Sequence, residues 1–167
     1  FRDCCEIEFG RGNYAEKIKK NIESFLNMLP FDLTSSQKKA VREIFADLVS
    51  RKPMNRMLQG EVGSGKTVVS AISMYLCFLN DYQSTLMAPT EILAQQHYKT
   101  ISSLLSHFGV KVELITGSKK PKFKGQKVDV LIGTHALLYN KFNLKNLRLV
   151  VIDEQQRFGV AQRAEIR

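Results

Sequence analysis

The sequence predicts an α/β fold built on a mainly parallel sheet flanked by helices. From residue 31 onward, apolar runs of strand length alternate with runs of helical periodicity. Strands separated by helices are joined by crossover connections, the connections that parallel pairing requires. A glycine-rich segment, 60–67, lies between a strand-like run and a helix-like run. A third apolar run, 149–152, ends in the pair Asp153-Glu154, charge placed at the carboxyl end of a strand where open α/β sheets hold their ligands.

Each element follows from its pattern. Residues 14–29 space Ile18, Ile22, Phe25, Leu26 and Leu29 along one helical stripe, with Lys17, Lys19 and Lys20 outside it and Pro30 ending it. Residues 1–30 therefore read as a linker helix region, and residues 31–167 as a separate lobe. A helix over 36–49 buries Ala40, Val41, Ile44, Phe45 and Leu48. A strand over 55–59 runs into the glycine loop and a helix over 66–79. A strand over 84–87 leads through Ala88-Pro89-Thr90 into a helix over 91–108 carrying Ile92, Leu93, Ile101, Leu104, Leu105 and Phe108. Further strands are expected over 111–115, 128–132 and 148–152. The basic stretch 118–124 reads as a solvated loop, and no internal repeat is visible.

A chain of 167 residues can bury roughly 70% of its unfolded surface in one core. Hydrophobic residues make up 44% and charged residues 25%, ordinary values for a soluble domain. The net charge of +9 favours polyanionic partners such as nucleic acid, though many basic domains bind none. Of three cysteines, Cys4 and Cys5 are adjacent, and no spacing suggests a zinc site or a disulfide framework, so a reducing cytosol is expected. The longest apolar run, 68–79, is too short to span a bilayer. The chain starts at Phe1 without an initiator methionine and stops inside a helix-like run, and it reads as an internal piece of a longer protein.

Gly60-Glu61-Val62-Gly63-Ser64-Gly65-Lys66-Thr67 matches the phosphate-loop pattern G-x-x-x-x-G-K-[ST] in full, in strand–loop–helix context. Glycines let the backbone curl so that successive amides point inward at phosphate oxygens, and a helix N-terminus adds its positive end. Lys66 would reach the terminal phosphates and Thr67 would offer its hydroxyl to Mg²⁺. Chance would produce the motif in on the order of 1% of chains this long. Beside such a loop, Asp153 is expected to hold Mg²⁺ and Glu154 to orient the attacking water as general base. Taken alone, the acidic pair would read as a solvated helix N-terminus.

Two further patterns leave alternatives open. Thr34 and Gln37 fit a capping box at the start of the second helix, and the Gln37 amide equally fits the N6/N7 edge of adenine. Thr90 and Thr134 sit where strands end and helices begin; hydroxyl and amides there could hold a nucleic-acid phosphate, or simply cap the helix. His97 and His135 read as packed or network residues rather than metal ligands.

GEVGSGKT (60–67), MAPTEILAQQH (87–97), IGTHALL (132–138) and VIDEQQRFGVAQR (151–163) resemble helicase superfamily two in order and spacing. In detail they resemble the RecG family of bacterial ATP-dependent DNA helicases, from about residue 29 to the end. LPFDLTSSQ (29–37) resembles that family's adenine motif, placing Phe31 and Gln37 with the nucleotide, and residues 1–28 resemble its linker toward a DNA-binding wedge domain. The run Arg157-Phe158-Gly159-Val160 is narrower than the superfamily. The motor of the transcription-repair coupling factor is the nearest rival. It usually has an aromatic at Ser64, Thr at Glu91, Arg at Ala136 and Lys-Glu at Gln162-Arg163, so all four differences favour the RecG family. Gln156 stands where that family usually has His; it can donate and accept hydrogen bonds but cannot become cationic. The interval 118–127 is also shorter than usual.

The resemblance implies a RecA-like phosphate-loop lobe using ATP and Mg²⁺, with Pro89, Thr90, Gly133 and Thr134 along a DNA backbone track and Gln156 and Arg157 coupling to later motifs. It implies hydrolysis that drives remodelling of branched DNA in repair and recombination, in a bacterial cytoplasm at the nucleoid, with no membrane. It also implies missing partners within the same chain: the wedge domain, a second lobe supplying an arginine, and the strand of the third helicase motif, which would insert between strands 55–59 and 148–152. A small-molecule kinase and a DNA-binding module that no longer hydrolyses ATP are the readings from other classes.

Overall fold

The computed structural model describes residues 13–50, 54–118, 127–139 and 144–154. Four strands, β1 (Gln83–Met87), β2 (Val112–Ile115), β3 (Val130–Gly133) and β4 (Leu147–Ile152), form one sheet in the order β2-β3-β1-β4. Every pairing is parallel, as the alternation of elements requires.

β1 lies inside the sheet and all five of its residues, QSTLM, are buried. Three of the five are polar: Gln83 and Thr85 bond to the neighbouring strands, while the Ser84 hydroxyl is buried without a hydrogen-bond partner among the described residues. Gln83 Nε2 donates to Val128 O at 2.6 Å and Gln83 Oε1 accepts from Asn146 N at 3.2 Å, so one amide ties the entrances of β3 and β4. Thr85 Oγ1 donates to Leu131 O at 2.9 Å. Buried polar groups with partners do not carry the desolvation penalty of orphaned ones.

Among the described residues, five helices accompany the sheet: α1 (Asn13–Asn27), α2 (Ser35–Val49), α3 (Lys66–Leu79), α4 (Glu91–Leu105) and the single turn α5 (Ala136–Tyr139). α3 is buried over nine residues, Val68, Val69 and Ala71–Cys77, because it packs on β1 and β4 and against α2 and α4. A helix apolar on nearly every side belongs inside. The predicted stripe of α1 finds its partner here: Phe25 stacks on Tyr75 of α3 with ring centroids 5.2 Å apart and meets Phe108 at 5.3 Å. Ile22 and Phe25 belong to the same core as α3 and the sheet.

Two expectations need adjustment, and one element was not foreseen. The fourth helix does not run unbroken to 108: α4 ends at Leu105, tightens into a 3₁₀ turn over Ser106–Phe108 and stops at Gly109, whose φ of +74° closes the turn. α5 escapes sequence periodicity because four residues make one turn. The strand expected over 55–59 does not form; residues 54–60 are neither helix nor strand, and Met57 is 70% exposed. A short strand exists through its ladder, and no ladder joins this segment to β4. The segment is tied to α2 instead, by Arg56 with Asp47 and Glu43. Among the described residues, β4 pairs only with β1. Residues 1–12, 119–126 and 155–167, including Cys4, Cys5, Gln156 and Arg157, lie outside the described residues.

Candidate functional site

Strand register gathers the motifs on one edge. Met87 at the end of β1 pairs with Gly133 of β3 on one side and with Ile152 of β4 on the other, and Ile115 of β2 pairs with Gly133. The chain leaves all four strands at the same level, so Ala88-Pro89-Thr90, Thr116-Gly117-Ser118, Thr134 and Asp153-Glu154 share the carboxyl edge. Two backbone bonds extend the register: Ala88 N donates to Gly133 O at 2.8 Å, and Asp153 N to Met87 O at 2.9 Å.

The glycine loop meets α3 through Gly65, whose φ of +82° and ψ of 23° are left-handed. A Cβ there would lie 2.3 Å from Gln37 Nε2. The conformation thus favours glycine, and a Cβ would push the Gln37 amide off its place. Gly65 gives α3 no side-chain cap, in contrast to Thr34 and Thr90 before α2 and α4. Val68 N turns back to Gly65 O at 3.0 Å, and no side-chain cap takes the amides of Lys66 and Thr67, the arrangement a phosphate cradle needs. Ser64 N donates to Glu61 O at 3.1 Å, and Val62 is fully exposed at the loop tip. Lys66 folds over the loop, with Nζ donating to Gly60 O at 2.7 Å and Glu61 O at 2.8 Å.

Gln37 serves two partners at once. Its Oε1 accepts from Thr34 N at 2.8 Å while Thr34 Oγ1 accepts from Gln37 N at 3.2 Å, a complete capping box. Its Nε2 donates to Ser64 O at 2.9 Å, joining α2 to the glycine loop across 27 residues. The cap reading is therefore realised. One donor and one acceptor site of the amide remain for a base edge. Phe31, 47% exposed, keeps an aromatic face open nearby in sequence.

Of the acidic pair, Asp153 Oδ2 accepts from His97 Nε2 at 2.7 Å. Glu154 has a φ of +49°, a left-handed conformation uncommon for a residue with a Cβ and one that tends to occur where function holds the backbone. Among the described residues no three His, Cys, Asp or Glu side chains form a metal cage. Mg²⁺ is usually held by one or two carboxylates together with substrate phosphates. Thr67, half-buried in the first turn of α3, and Asp153 are the residues that fit it.

Along the rest of the edge, Thr90 is exposed and caps α4, accepting from Leu93 N at 3.3 Å. Pro89 beside it is half-buried. Thr134 is only 3% exposed and its hydroxyl accepts from Ala136 N at 3.4 Å, so it shapes the turn into α5 rather than facing solvent. A Cβ on Gly133 would lie 2.2 Å from Ile115 O, so that glycine is also demanded by sheet packing. Sequence reasoning missed the residues after β2. Ser118 donates its N–H to Glu91 Oε1 at 3.1 Å and its hydroxyl to Glu91 Oε2 at 2.6 Å. The Ser118 hydroxyl is the main cause holding the Glu91 carboxyl below the usual glutamate range, against a smaller opposing effect of burial. The small-residue run Thr116-Gly117-Ser118 directly after a strand was the available signal.

A family model described as DEAD/DEAH box helicase matches residues 34–167. The chain is 48% identical over 151 residues to the ATP-dependent DNA helicase RecG of Bacillus subtilis, covering 86% of this chain and 22% of that protein. It is also 48% identical to the RecG of Aquifex aeolicus, covering 87% of this chain and 19% of that protein. It thus spans about a fifth of the length of these curated relatives. Among solved structures, the UvsW helicase of bacteriophage T4 matches with a TM-score of 0.64 at 21% identity, over 89% of this chain and 54% of that one. A hypothetical ATP-dependent RNA helicase from Sulfolobus tokodaii matches with a TM-score of 0.65 at 23% identity, over 88% of this chain and 45% of that one. At those identities the likeness is one of fold. No described helix is long and apolar enough to cross a membrane.

Proposed function

Because the chain belongs to the DEAD/DEAH box helicase family, we propose that it is the first, ATP-binding lobe of a RecG-type DNA helicase, in which ATP hydrolysis drives movement on DNA and remodelling of branched junctions. The observation that carries this reading is the shared carboxyl edge, where the acidic pair after β4 and the Ala88-Pro89-Thr90 turn lie in one parallel register, beside helix α3, which packs on β1 and β4 and is opened by the glycine loop. The sequence similarity to bacterial RecG proteins supports the DNA substrate and a bacterial, chromosome-associated setting.

In this reading the amides of 63–67 and the Lys66 ammonium hold the phosphates, Thr67 and Asp153 hold Mg²⁺, and Glu154 orients and deprotonates the attacking water. Bound Mg²⁺ would neutralise charge developing on the phosphates. Phe31 and Gln37 recognise the base. Thr90, Pro89 and the backbone at Gly133-Thr134 follow the DNA backbone, reading charge and shape instead of sequence, as a translocating motor requires. Gln156 and Arg157 couple the site to a second lobe of the same protein, and residues 1–30 lead toward its wedge domain.

The deciding experiment is Lys66→Ala in the full-length protein. Removing a group that stabilises charge in the transition state typically costs on the order of 10²–10³ in rate. ATP hydrolysis should fall by at least that much while binding to a branched junction stays near wild type. Hydrolysis within a few-fold of wild type would sink the phosphate-cradle reading.

A further inference from the structure

His97 stands two helical turns beyond Thr90 on α4 and is half-buried, with 15% of its side chain exposed. Its Nε2 lies 2.7 Å from Oδ2 of Asp153, which follows β4 and is 56 residues away in sequence. Among the described residues no other donor meets that carboxylate. A carboxylate on the end of a strand can rotate about two side-chain bonds, and a single short bond to a ring anchored in a packed helix removes much of that freedom. α4 is a firm anchor: Ala94, Ile101 and Leu105 are fully buried against the core.

We propose that His97 is a positioning residue for Asp153. It holds Oδ2 so that the remaining oxygen is presented in a fixed direction to the divalent cation, and it ties that direction to α4. The same helix begins at Thr90, the exposed turn assigned above to the DNA backbone. A shift of α4 on DNA contact would therefore move the donor that aims Asp153, and the link between DNA and hydrolysis would run through one imidazole. This rests on the nucleotide-site reading given above.

The test compares the full-length wild-type protein with His97→Leu, which keeps apolar bulk but no donor, and His97→Gln, whose amide nitrogen reaches about where Nε2 stands. Outer partners of metal-holding side chains typically contribute about 10–100-fold to metal affinity or activity. For His97→Leu, Mn²⁺ affinity of the ADP-bound protein should fall by roughly 10-fold or more, with kcat and the DNA stimulation of ATPase falling alongside. Binding of ADP without a divalent cation should stay within about two-fold, and His97→Gln should recover most of the loss. Equal Mn²⁺ affinity in wild type and His97→Leu, or a loss in Leu that Gln does not relieve, would overturn the proposal. Should wild type itself hydrolyse no ATP, the nucleotide-site reading fails and takes this proposal with it. Wild-type hydrolysis with an unchanged His97→Leu cation affinity removes this proposal alone.

Discussion

Gly65 and Gln37 constrain each other. The left-handed backbone at Gly65 strains any side chain there, and a Cβ, 2.3 Å from Gln37 Nε2, would push the Gln37 amide aside. Gly65→Ala should displace Gln37 and tilt the first turn of α3, weakening nucleotide binding more than it lowers the melting temperature; equilibrium binding of ADP beside a thermal melt checks this. Gln37→Ala removes half of a capping box and the tie to Ser64 together. The Thr34 hydroxyl still accepts from the backbone at 37, so stability should fall by less than the roughly 1 kcal/mol of a whole lost cap. If Gln37 also reads adenine, the preference for ATP over GTP should weaken as well. Turnover with both nucleotides separates the roles, since a cap alone leaves the preference intact.

α4 is the element that brings separate motifs together. Thr90 caps it, Glu91 in its first turn holds the loop after β2, and His97 reaches Asp153. Glu91 yields a pH prediction. Its carboxyl is held below the usual range, so it contributes stability above the unfolded glutamate value, about 4.3, and that contribution is lost as pH falls through the folded value. Ser118→Ala removes the largest cause, and the Glu91 titration followed by NMR should move back up toward the usual range. An unchanged titration would show that Ser118 does not set it. Legibility in the sequence divides along the same line. The bounds of α3 matched expectation because Gly65 opens the helix and its apolar run ends it locally. The phosphate loop and acidic pair were legible for the same reason, being contiguous. The pairings Gln37–Ser64, His97–Asp153 and Glu91–Ser118 join residues 27 to 56 apart, and no local pattern encodes them. The expectation at 55–59 failed because a short run becomes a strand only when a ladder receives it.

At the scale of the whole molecule, the described sheet ends in two edge strands, β2 and β4. β1 is sealed by β3 and β4, yet β4 pairs only with β1 among the described residues, and Leu147 and Val150 are 40% and 43% exposed. An edge strand carrying apolar residues and unpaired backbone groups is a template for unwanted pairing. A further strand paired with β4 would cover that edge. The 167-residue chain on its own is therefore expected to unfold with poor cooperativity or to aggregate, and to show no DNA-stimulated ATPase. A urea melt with one sharp transition, or stimulated turnover by this chain alone, would contradict that expectation. With a net charge of +9, binding of the full protein to DNA should also weaken steeply with salt; a titration across salt concentrations measures it.

The two bonds from Lys66 to the carbonyls of Gly60 and Glu61 have a consequence in time. The ammonium must leave both oxygens before it can meet a phosphate, so nucleotide capture becomes a sequence of opening followed by docking. In a stopped-flow record with a fluorescent ATP analogue, the observed rate should climb with concentration and then level off at the opening rate. A rate that rises linearly to the highest usable concentration would mean that the clasp imposes no delay.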